Sequence, residues 1–364
     1  MVINDVSALI EQLAPLSYQE SYDNSGLLVG DPLSPLKGIL VTLDITPEVV
    51  DEAQQKGLNL IVSHHPIIFS GLKKITGKTD VERVVIKAIK NDIAIYSAHT
   101  NLDSVIGGVN SKIGEKLGLT NLEFLRPLDG ELIKLVVFTP IKEAEVVRNA
   151  MFKAGAGHIG KYDCCSFNLE GKGTFRAGEG AKPFVGELNE LHREPEVRIE
   201  VIVPKVLLSK VIREMIAVHP YEEVAYDIYP LLNTYNRVGM GMIGELEEPL
   251  TEKEFLDKVK NNFRLKTIRY TPFLKKNIKK VAFCGGSGAF LINNAITSGA
   301  DIFITGDVKY HQFFDAEGKI VIADIGHFES EQFTIDIFYE YLLKNLSKFA
   351  VLKSEINTNP INYI

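Results

Sequence analysis

Short apolar, β-branched runs recur along both ends of the chain, each closed by a polar or glycine turn and separated from the next by helical spacing. The first such series contains Gly38 to Leu43, Leu58 to Val62 and Ile93 to Ser97. A helix starting near Thr46-Pro47, with proline in its first turn, separates the first two runs. Val81 to Lys90 separates the second and third. Ahead of them, the spacing predicts a helix from Asp5 to Leu13, capped by Asn4, stopped by Pro15 and burying Val6, Leu9, Ile10 and Leu13. Tyr22 to Gly26 then reads as a polar turn entering a short strand at Leu27 to Gly30.

The C-terminal part repeats the plan. Strands are predicted at Lys280 to Phe283, Asp301 to Ile304 and Lys319 to Ala323, with a short helix ending near Ser298. A last helix, Phe333 to Leu346, carries Ile335, Phe338, Leu342 and Leu346 on one face. The stretch from Ala53 through Gly57 to His64 aligns without a gap on Ala295 through Gly299 to Gly306, which reads as an internal repeat. Strand alternating with helix predicts an α/β fold with parallel sheets and crossover helices, arranged as two similar halves.

Between about Pro127 and Met242 the pattern changes. Strands are expected at Val136 to Pro140, Ser166 to Leu169, Gly173 to Arg176, Val197 to Val203 and Val224 to Tyr229. Helices are expected at Glu143 to Ala154 and Leu207 to Met215. Two helices against antiparallel strands suit a ferredoxin-like α/β plait, inserted as a domain over 127–242 between fold halves at 1–126 and 243–364.

Composition narrows the classes of function. A net charge of −7 over 364 residues leaves no basic footprint for nucleic acid or an anionic membrane surface. No apolar run approaches a membrane span, and the N-terminus lacks the basic and apolar regions of a signal peptide. The three cysteines, Cys164, Cys165 and Cys284, form neither a disulfide framework nor a thiolate zinc site, a usage that suggests the cytoplasm.

The chemistry collects where strands end, which is where open α/β sheets gather ligands. Four strands deliver His64-His65, His99 with Asp103, Asp307 with His311, and His327 with Glu331. His327 and Glu331 are four residues apart, so on a helix they share a face. Imidazole and carboxylate without thiolate suit zinc, manganese, iron or cobalt better than calcium or magnesium. His64, His65, Asp103, His327 and Glu331 are too many for one open tetrahedral site. They suit two divalent ions roughly 3.5–4 Å apart, with Glu331 as the bridge and water made nucleophilic between them. Asp307 and His311 can be ligands, outer partners or catalytic acid/base groups. His99 and Asp44 are placed behind the ligands, and His99 or His311 would shuttle protons. The turn Gly285 to Gly288 could hold a phosphate on its amides, although such turns are common without one and the P-loop lysine is missing.

Five motifs taken together resemble one family. Tyr22-Asp-Asn-Ser-Gly26, Ser63-His-His-Pro66, His99-Thr-Asn-Leu-Asp103, Gly306-Asp-Val-Lys-Tyr-His311 and Gly326-His-Phe-Glu-Ser-Glu331 are similar to those of the NIF3-like proteins, the GTP cyclohydrolase I type 2 homologues. The resemblance implies one NIF3-like fold of two α/β/α layered halves, and a di-metal site falling on His64, His65, Asp103, His327 and Glu331. It also implies a toroidal homohexamer. His219-Pro-Tyr-Glu-Glu223 is similar to the PII/CutA1-like plait of the longer bacterial members. The function expected is a dinuclear metal-dependent hydrolase, zinc first among its metals, acting on a nucleotide-like or other small substrate. A phosphoesterase and a non-catalytic metal-binding regulatory or adaptor protein are the alternatives.

Overall fold

A computed structural model describes residues 1–364. The chain divides into two compact units, 1–127 with 236–364, and 128–235.

The first unit begins with α1 (Ile3–Leu13), β1 (Gly26–Val29), β2 (Gly38–Thr42), α2 (Pro47–Gln55), β3 (Leu60–Ser63), α3 (Asp80–Lys90) and β4 (Ala94–Ser97). There follow α4 (Thr100–Asp103), α5 (Val109–Leu117) and β5 (Leu119–Leu128). Helix α1 starts earlier than its spacing suggests. Its N-cap is Val2, whose amide donates to Asp5 Oδ2 at 2.8 Å, and Asn4 lies inside the first turn.

The second unit, 128–235, contains β6 (Leu132–Pro140), α6 (Ala144–Lys153), β7 (Ser166–Arg176), β8 (Leu191–Pro204), α7 (Leu208–Val218) and β9 (Tyr226–Leu231). These strands form one antiparallel sheet in the order β7-β8-β6-β9. The two short strands expected at 166–169 and 173–176 are one continuous strand. Gly171 and Gly173, which look like a break in the sequence, sit in register with Glu196 and Glu194 of β8. Val137, Ile199 and Val201 pack with Val147 and Met151 of α6 and with Val211 and Met215 of α7. Alternate residues on β8, His192, Glu194, Glu196, Arg198 and Glu200, share the other face.

The first unit resumes with β10 (Tyr235–Thr251), α8 (Glu252–Asn262), β11 (Arg269–Tyr270), β12 (Asn277–Ser287), α9 (Ile292–Thr297) and β13 (Ile302–Gly306). It closes with β14 (Val321–Asp324), α10 (His327–Glu331), α11 (Thr334–Asn345) and β15 (Ala350–Lys353). Helix α11 buries Ile337, Phe338 and Leu342, while Ile335 is only half-buried.

Two mixed sheets make up this unit, in the orders β1-β4-β3-β2-β15 and β11-β14-β13-β12-β10-β5. Strands β2, β3 and β4 are parallel, as are β12, β13 and β14. The repeat is visible locally, since Gly57 and Gly299 both follow a helix with φ of 68° and 73° and lead into β3 and β13. At the edges the two sheets trade chain. C-terminal β15 pairs with β2, and β5 from the N-terminal part belongs with β10 and β12. Leu40, Ile61 and Ile95 pack on Val49, Val50 and Val84, whereas Ala282, Phe303 and Ile322 pack on Leu291, Ile292 and Ala295. Each fully buried aliphatic side chain of this kind contributes about 1.5–3 kcal/mol relative to exposure. These cores fix the strand ends, and the strand ends carry the polar cluster.

Candidate metal centre

The carboxyl ends of β3, β4, β13 and β14 bring four histidines and several carboxylates together. After β3 the chain turns sharply, and the amides of His64 and His65 both donate to the carbonyl of Leu43, at 3.2 and 3.0 Å. That shared acceptor takes the two residues off the strand path, so adjacent imidazoles lie on the same side with ring centroids 4.8 Å apart. A regular strand would have sent them to opposite faces. His64 is completely buried, and His65 is partly open.

Glu331 is brought in by α10. Gly326, with φ of 93°, makes the turn out of β14, and a side chain on it would collide with the Glu329 carboxylate. Helix α10 therefore starts with His327, and Glu331 follows one turn later on the same face. Glu331 is only 3 % exposed at its side chain. Gly286 has a related purpose, because a Cβ there would overlap Glu331 Oε1. Of the two readings of Gly285 to Gly288, the same geometry favours the one without a phosphate. Gly285 to Ser287 belong to β12, and the amides are already used. Gly285 donates to Asn110 Oδ1, Gly286 to Ser330 Oγ and Gly288 to Thr305 Oγ1.

Every histidine of the cluster is oriented through Nδ1. His64 donates to the carbonyl of Ala98 at 2.9 Å and His65 to Asp44 Oδ1 at 2.7 Å. His99 donates to Asp23 Oδ1 at 2.8 Å and His327 to Asp307 Oδ2 at 2.7 Å. With the proton held on Nδ1, each neutral ring presents an Nε2 lone pair. His65 Nε2 lies 3.0 Å from Glu331 Oε2 and 3.3 Å from His327 Nε2. His327 Nε2 lies 3.1 Å from Glu331 Oε2. On the other side, His64 Nε2 lies 3.6 Å from Asp103 Oδ1 and 3.7 Å from Glu331 Oε1.

With the rings neutral, acceptor atoms thus face acceptor atoms. His64 Nε2 and Asp103 Oδ1 are buried with no hydrogen-bond partner in the protein. An orphaned buried acceptor is costly, and a set of converging ones calls for positive charge among them. Donor atoms lie within 4.8 Å of one another in three groups, namely His64 with His65 and His99, His65 with His327 and Glu331, and His64 with Asp103 and Glu331. These residues could hold a metal ion, and the donor set of nitrogen and oxygen suits a divalent transition metal.

The protein's own charges respond to this crowding. Burial, followed by the charge of Glu331, pushes the Asp103 carboxyl up to about 7. Burial works against ionisation of Glu331 as well, but the imidazoles of His327, His64 and His65 around it hold it well below the ordinary carboxylate value. His65 is lowered by burial yet raised overall to about 10 by Asp44 and Glu331, and His327 is likewise raised to about 9 by Glu331 and Asp307. Protons and metal ions compete for the same lone pairs, so acid must weaken any metal held here.

All five residues expected as ligands are in this cluster, with His99 beside them at ring distances of 5.2 and 5.4 Å from His64 and His65. Asp44 and Asp307 stand behind His65 and His327. His311 is not brought to the cluster. It is exposed on the turn 310–316, where its ring meets Tyr310 and Phe314.

Sequence reading gave no role to Asp23, although it lay in a quoted motif. Besides His99, Asp23 accepts from the Thr100 amide at 3.0 Å and from the Ser25 hydroxyl at 3.2 Å. Its carboxyl is depressed despite burial, because His99 and Thr100 donate to it. Also missed was Cys284, whose thiol faces the cluster and is pushed up by burial and by Asp103 and Glu331. It is a neutral wall of the cleft. That cleft, about 230 Å³, is lined by Tyr22, His99, Asp103, Cys284, Phe290 and His327 among others.

Fold and site together define a mixed α/β protein with a pocketed cluster of histidines and carboxylates that could hold metal. Comparison with known proteins narrows this. The family model for DUF34/NIF3, NGG1p interacting factor 3, matches residues 1–360. The GTP cyclohydrolase 1 type 2 homolog of Halalkalibacterium halodurans is 43 % identical over 365 residues, covering 99 % of this chain and 98 % of that one. The protein of the same name from Bacillus subtilis is 41 % identical, covering 98 % and 97 %. The crystal structure of a Bacillus cereus protein related to NIF3 superposes with a TM-score of 0.88 at 41 % identity, covering 100 % and 99 %. The chain belongs to the DUF34/NIF3 family. No helix is long and apolar enough to cross a membrane.

Proposed function

We propose that the protein is a dinuclear metal-dependent hydrolase of a small substrate that enters the cleft beside His99. One observation carries the reading. The two oxygens of Glu331 face different partners, Oε1 toward His64 and Oε2 toward His65 and His327, and the orphaned Asp103 Oδ1 lies on the His64 side. One carboxylate between two sets of nitrogen donors is the arrangement that two ions share. His64, Asp103 and Glu331 would hold one ion, and His65, His327 and Glu331 the other, with zinc first among the candidates. When bound, such a pair supplies Lewis acidity and a water acidic enough to act near neutral pH.

The chain's own residues do the rest. Asp44, Asp23, Asp307 and the Ala98 carbonyl fix the ring orientations, so little reorganisation is left for the reaction. His99 takes and returns the proton at Nε2, because its Nδ1 is committed to Asp23. This role goes to His99 and not His311, since only His99 borders the cleft. Tyr22 and Phe290 give the cleft aromatic sides suited to a planar ring. Ring opening of a guanine-type base and phosphoester cleavage are both open to such a site, as the relatives' shared name does not decide the reaction. We read residues 128–235 as an inserted plait, and the assembly as a homohexameric ring in the cytoplasm.

The test is elemental analysis of protein purified without chelator, beside Glu331→Ala, followed by turnover assays on nucleoside triphosphates and phosphodiesters. About two metal equivalents in the parent, a marked loss in the variant and metal-dependent turnover are expected. A full metal complement in Glu331→Ala, or turnover unaffected by it, overturns the reading. Light scattering or native mass spectrometry checks the ring.

A further inference from the structure

The unit at 128–235 has a cavity of its own, unrelated in chemistry to the histidine cluster. Its volume is about 480 Å³, within the usual range for small-molecule sites. The walls include four aromatic rings, Phe138, Phe175, Phe184 and Tyr221. Tyr221 lies 6.2 Å from Phe175 and 6.3 Å from Phe184, ring centre to ring centre. Set among them is a carboxylate, Glu196, in a residue only 8 % exposed.

Glu196 is held by design of the surrounding chain. The Tyr221 hydroxyl donates to Glu196 Oε1 at 2.9 Å. Burial and that bond raise the phenol's pKa, so it stays a donor. Oε2 lies over Gly173 of β7, where any side chain would overlap it. Tyr221 is fixed in turn by His219, whose Nδ1 accepts from the Tyr221 amide at 3.1 Å and whose Nε2 donates to the Phe138 carbonyl at 3.0 Å. Both ring nitrogens are committed, and burial lowers the His219 pKa, so this imidazole is a neutral strut. The segment His219 to Glu223, conspicuous in the sequence, is therefore the frame of the cavity.

Charge selects the ligand. Glu196, Glu222 and Glu223 line the cavity against a single base, the exposed Arg176. Arg198, on the same face of β8, is paired with Glu200 at 3.0 Å. Glu194 is paired with His192 at 2.8 Å, and Glu222 Oε1 accepts from the Lys182 amide at 2.8 Å. The Glu196 Oε2 atom has no such match. Phosphates and carboxylates would meet repulsion here, whereas aromatic faces and a buried carboxylate both attract a cation.

We propose that this cavity is a binding site for a small organic cation, a primary ammonium carried on an aromatic or branched apolar body. The ammonium bonds to Glu196 Oε2 and the body packs among Phe138, Phe175, Phe184 and Tyr221. The site stands independently of the metal reading.

Isothermal titration of the full chain at fixed ionic strength with phenethylammonium, 2-phenylethanol and 3-phenylpropionate tests it. These share a phenyl body and differ in head-group charge. Saturable binding of phenethylammonium, at least tenfold tighter than the alcohol and with the carboxylate weakest, is the expected result. Glu196→Gln keeps an oxygen for the Tyr221 hydroxyl but removes the charge, and should bring phenethylammonium down to the level of the alcohol. Gly173→Ala, which displaces the carboxylate, should weaken it several-fold. Equal binding of the three probes, preference for the carboxylate, absence of saturation by phenethylammonium, or an unaltered affinity in a folded Glu196→Gln protein overturns the proposal. The probe series on the parent chain decides the matter even if a variant fails to fold.

Discussion

The histidine cluster of the first unit and the aromatic cavity of the second solve opposite electrostatic problems. In the cluster, four imidazoles, each held through Nδ1, converge with carboxylates until buried lone pairs face one another. In the cavity, a single buried carboxylate is set among four aromatic rings, of which only Tyr221 donates to it, leaving Oε2 unmatched. Both are short of positive charge, but by different amounts. The first deficit suits multivalent metal, and the second suits one monovalent cation on an apolar body. Local density of lone pairs, more than the overall charge of −7, sets what each region can take up.

Substitutions can break this contrast in graded steps. The largest effect is expected from Glu331→Ala, which removes the carboxylate common to two of the three donor groups. Metal content should fall by more than the ~10–100-fold in affinity that loss of an outer partner costs, as read by elemental analysis after dialysis. Phenethylammonium affinity should not change.

Asp44→Asn should come next, lowering metal affinity by about 10–100-fold, because the half-buried Asp44 both orients His65 and raises its basicity. Asp307→Asn does the same for His327 from an exposed position, and should fall near the lower end, about tenfold. Competition titration with a chromophoric chelator ranks the two. If Asp307 matters more than Asp44, burial is not what gives the outer partner its weight.

Lowering the pH should strip metal from the cluster, since protons and metal share the Nε2 lone pairs. Dialysis across a pH series, with metal counted at each step, checks it. A metal content that rises on acidification would contradict the donor set.

The smallest effect concerns Glu82. Hydrogen bonds from Thr76 and the Lys78 amide hold its carboxyl down from 4.5 to about 2. A depressed carboxylate contributes stability above its unfolded value that is lost as pH falls through the folded one. The amides of Thr76 and Lys78 should therefore lose exchange protection between about pH 4.5 and 2, with little change in overall melting.

What was legible in the sequence was the set of strand ends. Apolar runs ending in His64-His65, His99 and Asp103, Asp307, and His327 with Glu331 are local patterns, and each was located to within a few residues. The glycine-rich stretch at 285–288 stayed open between a phosphate turn and a turn without a ligand, because the two look alike until Glu331 is seen beside Gly286. Asp23 and His311 show the same limit from both sides. One is a polar residue in an ordinary turn that proves to hold His99, the other a histidine after a strand that proves to be exposed.

By itself the sequence located the parallel strands β2, β3, β4, β12, β13 and β14 and the residue types that close them, since hydrophobic periodicity and turn chemistry act over neighbouring residues. It did not place β5, β10 or β15. Only the tertiary structure decided that His65 and Glu331, 266 positions apart, approach to 3.0 Å, and that Glu196 is left in an aromatic cavity with one oxygen unmatched. Such encounters depend on how sheets order their strands and on what burial leaves unsatisfied, and no local pattern records either.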